Sequence, residues 1–229
     1  VNGVNDAPSV SDASLTTNED TAGTTTLSAS DPEGDSLSYA KTGSASHGSA
    51  SVDSSGTATY NPGDDYRGAD SFTVEVTDGN GGSDTATVSV TVNGVPSVSD
   101  TSLSTNEGTA ASATLSATDP DGDALSYAIE EAPAHGNAEV DGSGTATYTP
   151  NDDYHGADGF TVKVTDGNGG SDTATVSVSV NGAPTAEAVH LFTARGLEVT
   201  ASLTASDPEN DTLSYEVSAA PDPGSAGIA

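Results

Sequence analysis

Three carboxylates alternate along Asp31-Pro-Glu33-Gly-Asp35, and the pattern returns as Asp119-Pro-Asp121-Gly-Asp123 and Asp207-Pro-Glu209-Asn-Asp211. Each step is 88 residues, since 119 − 31 and 207 − 119 agree. Closely spaced carboxylates are hard oxygen ligands. A hard divalent cation takes about six to eight of them, with backbone carbonyls and Asn amides completing the shell. Calcium suits such loops better than magnesium, which keeps its water in a strict octahedron. Zinc calls for Cys or His, and the chain has 0 Cys and 4 scattered His. General acid/base catalysis is a weaker reading of pairs such as Asp64-Asp65. Those acids recur at loop ends, with no helix or insertion to form a pocket, so no enzyme is expected.

The acids concentrate at turns: Asn5-Asp6, Glu19-Asp20, Asp31 to Asp35, Asp64-Asp65, Asp70, Asp78 and Asp84. The outward positions of Val88-Ser-Val-Thr-Val92 are Ser and Thr. A salt-adapted skin would instead spread acids over the strands, and Asp53, Glu75 and Glu139 fit that competing reading. Two near-matches fail. The Asp119 cluster imitates an EF-hand loop, but its sixth position is Ala124 rather than Gly and a strand follows at once. Gly79-Asn-Gly-Gly82-Ser-Asp84 resembles one turn of a β-roll, yet its next copy is 88 residues away, and a tight hairpin turn explains it better. His47 and His135 precede Gly at equivalent positions and read as surface turn residues.

Short strands must position these loops. From Pro8 the segments 10–15, 24–29, 36–40, 49–52, 57–60, 71–77 and 86–92 alternate apolar and polar residues, as half-buried strands do. Asp53-Ser-Ser-Gly56 and Asp78-Gly-Asn-Gly-Gly82 supply turns between them. Tyr39, Tyr60, Tyr66, Phe72 and Val90 recur as Tyr127, Tyr148, Tyr154, Phe160 and Val178, so one core is specified twice. The expected fold is all-β: tandem seven-stranded antiparallel sandwiches of the immunoglobulin or cadherin type. The expected domains are 1–94, 95–182 and 183–229, the last being the N-terminal half of a third repeat. Half a sandwich cannot bury its inner face, so residues after Pro184 should pack poorly.

The 229 residues hold 35 Asp+Glu against 4 Lys+Arg, a net charge of −31. Such a field repels nucleic acid and anionic membranes and makes cations the natural partners. Apolar residues are 32% of the chain and no run reaches the roughly 18 needed to cross a bilayer, so no membrane insertion is expected. Val1 begins mid-repeat, as in an excerpt. With no Cys for disulfides, metal ions are the expected means of stiffening thin extracellular cores.

Leu27-Ser-Ala-Ser-Asp31-Pro-Glu-Gly-Asp35-Ser-Leu-Ser-Tyr39, Tyr60-Asn-Pro62, Tyr66-Arg-Gly-Ala-Asp70-Ser-Phe72, Val76-Thr-Asp78-Gly and Asn5-Asp-Ala-Pro8 together resemble the cadherin-like repeats of large bacterial surface and secreted proteins, including RTX-type adhesins and VCBS-like repeats. That resemblance implies a secreted or cell-surface location and Ca2+ clamped between successive repeats. By it, the first internal junction would use Glu19, Asp65, Asn93, Asp119, Asp121 and Asp166, and the next Glu107, Asp153, Asn181, Asp207 and Glu209. Asn5, Asp6, Asp31, Glu33 and Asp78 would form the matching set at the head of the first repeat. Gly94 and Gly182 stand where an acid is expected, which implies fewer or weaker ions at the internal junctions, and Arg195 replaces Glu19 and Glu107 in the third copy. The implied role is mechanical, with calcium clamping neighbouring repeats into a stiffer array. Direct homophilic or carbohydrate adhesion, with a cell-surface protein or glycan as partner, is the rival.

Overall fold

The computed structural model describes residues 4–219. The chain divides into two compact units. One comprises Val1–Ser99, Ser116–Ala128 and Lys163–Thr173, and the other Asp100–Leu115, Ile129–Val162 and Ala174–Ala229. All elements among the described residues are strands.

In the first repeat these are β1 (Ser9–Val10), β2 (Ala13–Asn18), β3 (Gly23–Thr26), β4 (Ala29–Ser30), β5 (Ser38–Lys41), β6 (Gly48–Val52), β7 (Thr57–Pro62), β8 (Gly68–Thr77) and β9 (Ser83–Asn93). A four-stranded sheet runs β2-β9-β8-β5 and a three-stranded sheet β3-β7-β6, while β1 pairs with β4. All seven expected strands are present, and two of them are broken. The first breaks at Ser11-Asp12, where Asp12 Oδ1 accepts the amide of Thr87 at 2.7 Å and takes the place of a ladder carbonyl. Beyond the break β2 joins β9 in parallel, with Leu15 opposite Val90. This corrects the expectation of antiparallel pairing throughout. Alternation along a strand reports which face is buried, not the direction of its neighbour.

The core lies between the sheets. Leu15, Leu27, Ala58, Tyr60, Phe72, Val74, Ala86, Val88, Val90 and Val92 are buried together, on the inward parity that the sequence marks. Two tyrosines organise the corner. The hydroxyl of Tyr60 donates to Asp70 Oδ2 at 2.9 Å, and that of Tyr66 to the carbonyl of Ala69 at 2.5 Å. Burial, with Asp70 beside it, raises the Tyr60 hydroxyl well above the usual tyrosine range. Tyr66 also stacks on His47, with ring centroids 4.4 Å apart, and Tyr154 stacks likewise on His135.

The second repeat follows the same order with β10 (Ser97–Val98), β11 (Thr101–Asn106), β12 (Ala111–Thr114), β13 (Ala117–Thr118), β14 (Ser126–Glu131), β15 (Gly136–Val140), β16 (Thr145–Pro150), β17 (Gly156–Thr165) and β18 (Ser171–Asn181). Its sheets run β11-β18-β17-β14 and β12-β16-β15. After Pro184 the described residues form two short strands, β19 (Thr185–Ala186) and β20 (Ala205–Ser206), paired with each other. Val189, Leu191, Phe192, Leu197, Val199, Leu203, Tyr215 and Val217 are exposed, Phe192 to 89%. Residues 220–229 of the third expected domain lie outside the described residues.

Candidate metal sites at the acidic loops

The loop Asp119-Pro120-Asp121-Gly122-Asp123 is folded by its own first residue. Asp119 Oδ1 accepts the amides of Asp121 at 2.9 Å and Asp123 at 3.1 Å, the turn that a short carboxylate side chain makes with the backbone two and four residues on. Gly122 takes the positive-φ position at 80°. The turn gathers the carboxylates, and Asp119, Asp121 and Asp123 each have an oxygen within 4.8 Å of the others. Two unit charges 4 Å apart repel by about 1 kcal/mol in water and by several times that near a protein surface. Asp119 Oδ2 is buried and has no hydrogen-bond partner. Asp31 repeats the turn and the unpaired oxygen. Its Oδ1 accepts from Glu33 at 2.9 Å and Asp35 at 3.0 Å, and its Oδ2 is buried without a partner. Asp207 Oδ1 accepts from Glu209 and Asp211, both at 3.0 Å.

A second loop braces the first two clusters. In the β8–β9 hairpin Asp78 Oδ1 accepts the amides of Asn80 at 2.7 Å and Gly82 at 3.0 Å, and Asn80 donates its side-chain amide to Asp35 at 2.8 Å. Asn5 donates to Asp78 Oδ2 at 2.8 Å, and the amide of Asp6 to Glu33 at 3.2 Å. The five residues assigned to the head of the first repeat thus meet in one network. The bond from Asn5, with those from the hairpin amides, holds the Asp78 carboxyl below the ordinary aspartate range.

The first internal linker is bound in the same way. Asn93 is 6% exposed and donates to Asp166 at 2.7 Å and to Asn18 Oδ1 at 3.1 Å. Gly94 donates its amide to Asp121 at 2.7 Å, Val95 to Glu19 at 2.9 Å, and Glu19 to the carbonyl of Asn93 at 2.8 Å. Asn168 donates to Asp123 at 2.7 Å, and Asn18 to the carbonyl of Gly169 at 2.9 Å. Burial opposes the charge on Asp166, but the bonds from Asn93, Asn168 and Gly170 outweigh it and keep that carboxyl low. Glu19, Asn93, Asp119, Asp121 and Asp166 come together. Asp65 does not join them by any hydrogen bond among the described residues: it is exposed, at φ 54°, with its amide held by Asp20 at 3.0 Å.

In the second set Glu107 donates to the carbonyl of Asn181 at 2.8 Å and Gly182 to Glu209 at 3.0 Å. Asn181 turns its amide to the carbonyl of Gly182 at 3.0 Å, and His155 pairs with Glu209 at 3.1 Å. Asp153 is exposed at φ 58°.

Several other acids hold backbone instead. Asp70 accepts the amides of Ser46 and His47, Asp84 that of Val10, and Asp53 those of Ser55 and Thr57. Asp70 and Asp84, which the sequence places among the acids at turns, thus cap backbone amides, and the exposed Asp53 does the same within its own turn. An ionised carboxylate only accepts hydrogen bonds, so it also serves amides left over at turns and strand breaks. The bracing amides Asn80 and Asn168, the link Asn18 and the basic partner His155 were missed in the sequence. The first two lie in a glycine-rich turn whose 88-residue repeat was the available signal.

No curated protein matches the chain. Among solved structures it is similar to an endo-fucoidan hydrolase from glycoside hydrolase family 107, at 21% identity and TM-score 0.33, covering 77% of this chain and 29% of that one. It is similar to Drosophila N-cadherin EC1-4 at 16% identity and TM-score 0.35, covering 77% and 50%. It is also similar to human protocadherin-24 EC1-2 at 19% identity and TM-score 0.37, covering 77% and 98%. The chain thus spans 29% of the hydrolase and half of the N-cadherin chain it matches. A family of bacterial Ig domains matches residues 5–91 and again 93–179, most of the sequence, and the chain belongs to that family as two tandem copies.

Proposed function

We propose that the chain is a run of non-catalytic extender and adhesion repeats from a large bacterial surface or secreted protein, with domains 1–94, 95–182 and a further half-repeat. In this reading its linkers are stiffened by Ca2+. The observation that carries it is the buried, unpartnered Oδ2 of Asp119 at the head of three crowded carboxylates. A buried acceptor left unpaired costs about 1–3 kcal/mol, more when charged, and an ion of opposite charge offsets both that cost and the repulsion.

The donor set fits a hard cation, being carboxylates and an asparagine amide with no sulfur or imidazole among them. Asp119, Asp121 and Asp123 would hold it, with Glu19, Asn93 and Asp166 alongside. When bound, calcium supplies positive charge that removes the mutual repulsion of these acids. The chain's residues do the rest: Glu19 and Asp121 fix the amides of Val95 and Gly94, Asn93 ties β9 to Asp166, and Asn168 orients Asp123. The linker cannot swivel while those bonds persist. Extracellular modules of this kind bind calcium at about 10⁻⁴ to 10⁻³ M, so the array would stiffen on export.

Calcium titration by calorimetry of the full chain, beside an Asp119→Asn/Asp121→Asn variant, tests this. Fewer ions bound by the variant is the expected result, and equal stoichiometry rejects the assignment. The rival reading, adhesion to carbohydrate, rests on the ring pairs His47–Tyr66 and His135–Tyr154, whose histidines are exposed. Glycan-array binding abolished by His47→Ala/His135→Ala would favour it.

A further inference from the structure

The linker Asn5-Asp6-Ala7-Pro8 carries an acid where Asn93-Gly94-Val95-Pro96 and Asn181-Gly182-Ala183-Pro184 carry glycine. Backbone freedom does not account for the change, because neither glycine is among the positive-φ residues. The surroundings do. A Cβ on Gly94 would stand 3.1 Å from Cβ of Pro120, 3.2 Å from Cδ of Arg67 and 3.2 Å from Oδ2 of Asp121. A Cβ on Gly182 would stand 2.8 Å from Cγ of Pro208, 3.1 Å from Oε2 of Glu209 and 3.2 Å from Cβ of His155.

Arg67 and His155 occupy the same place, since 155 − 67 is 88, and they are two of few basic side chains in a chain of net charge −31. The acid facing each accepts the amide of the glycine between them, Asp121 from Gly94 at 2.7 Å and Glu209 from Gly182 at 3.0 Å. Glu209 Oε1 meets His155 Nδ1 at 3.1 Å. At the other linker the aliphatic stem of Arg67 lies against the glycine, as long basic side chains do when they cover a surface and keep the charged head in water.

We infer that the residue at 67 and 155 is a built-in linker brace. A basic side chain is laid across a glycine, facing the acid that binds the glycine's amide. The glycine leaves the space that the brace fills. The brace needs no ion: Arg67 brings its positive charge, and His155 its ring nitrogen, to the acid-lined linkers from within the chain. A side chain at position 94 would crowd Pro120, Arg67 and Asp121, which would have to give by a few tenths of an ångström.

Hydrogen exchange of the full chain in chelator reads this directly, with the amides of Gly94 and Gly182 as reporters. Arg67 and His155 are exposed, so their truncation leaves the core intact. Arg67→Ala should speed exchange at Gly94, and His155→Ala at Gly182, by about three- to tenfold, with the β9 and β18 core amides unchanged. Arg67→Lys should restore most of the protection at Gly94. Gly94→Ala should speed exchange strongly in the native background and less beside Arg67→Ala, the coupling expected of groups sharing one space. Native rates at Gly94 and Gly182 in the two truncations, or a Gly94→Ala effect identical in both backgrounds, would overturn the inference. Because calcium is withheld, such a result would leave the calcium reading standing, and calorimetry would test that reading separately.

Discussion

Asn93 is buried and donates to Asp166 at 2.7 Å, whereas Asn181, 88 residues on, is exposed and turns its amide to the carbonyl of Gly182 at 3.0 Å. The two linkers share the pattern Asn-Gly-x-Pro and the same acid loop, yet Asp119 keeps a buried, unpaired oxygen while Asp207 has none of that kind among the described residues. Asn93 is ordered by a buried carboxylate, whereas the amide of Asn181 is satisfied by the backbone of its own linker. If the linkers hold calcium as proposed, the hairpin acid Asp166 matters there as well as the alternating cluster.

The largest effect expected from breaking this contrast is at Asp166. Asp166→Ala leaves the amides of Asn93, Asn168 and Gly170 without their acceptor, at a cost of about 2–4 kcal/mol in thermal or urea unfolding. Asp207→Ala frees only the exposed amides of Glu209 and Asp211 and should cost less than about 1 kcal/mol. Equal losses would dissolve the distinction. Next comes calcium. At tenfold to hundredfold excess over Kd each ion should add about 1.4–2.7 kcal/mol, seen as a rise in Tm. Asp119→Asn/Asp121→Asn should remove most of the rise from the first linker, and Asp207→Asn/Glu209→Gln should change it little.

Acid sharpens the contrast further. The Asp78 and Asp166 carboxyls are held low in the folded state, so their contribution is complete above the ordinary aspartate value of about 3.9. As pH falls below that value the unfolded chain takes up protons first, and stability drops until the folded carboxyls are protonated too. Asp166→Asn should flatten part of this acid limb, measured as Tm against pH, and Asp207→Asn should not. The smallest effect is at His155, an exposed partner of Glu209: His155→Ala should lower stability by about 0.2–1 kcal/mol.

Much of the fold was legible because the chain spells its core twice. Phe72, Val74 and Val76 with Val88, Val90 and Val92 lie on one parity, and each is buried. The crossing of the first strand between sheets was not legible, since Ser11-Asp12 carries no marker beyond a carboxylate that happens to reach Thr87. Of the candidate ligands, the repeated clusters were readable from spacing, and Glu19, Asn93, Asp121 and Asp166 do meet. Asp65 was assigned from the resemblance, and among the described residues only its amide is seen bonded, to Asp20. Asp70 and Asp84 look like ligands in the sequence because an acid that ligates and an acid that caps amides obey the same preference for turns.

By itself the sequence determined the 88-residue period, the inward parity of the strands, the acidic character and the turns that place carboxylates at loop ends, since each depends only on residues near one another in the chain. The tertiary structure alone decided which carboxylates face one another, which oxygen is left buried and unpaired, and which side chains crowd the space beside Gly94 and Gly182. Those outcomes depend on groups tens of residues apart, whose separation no local pattern encodes.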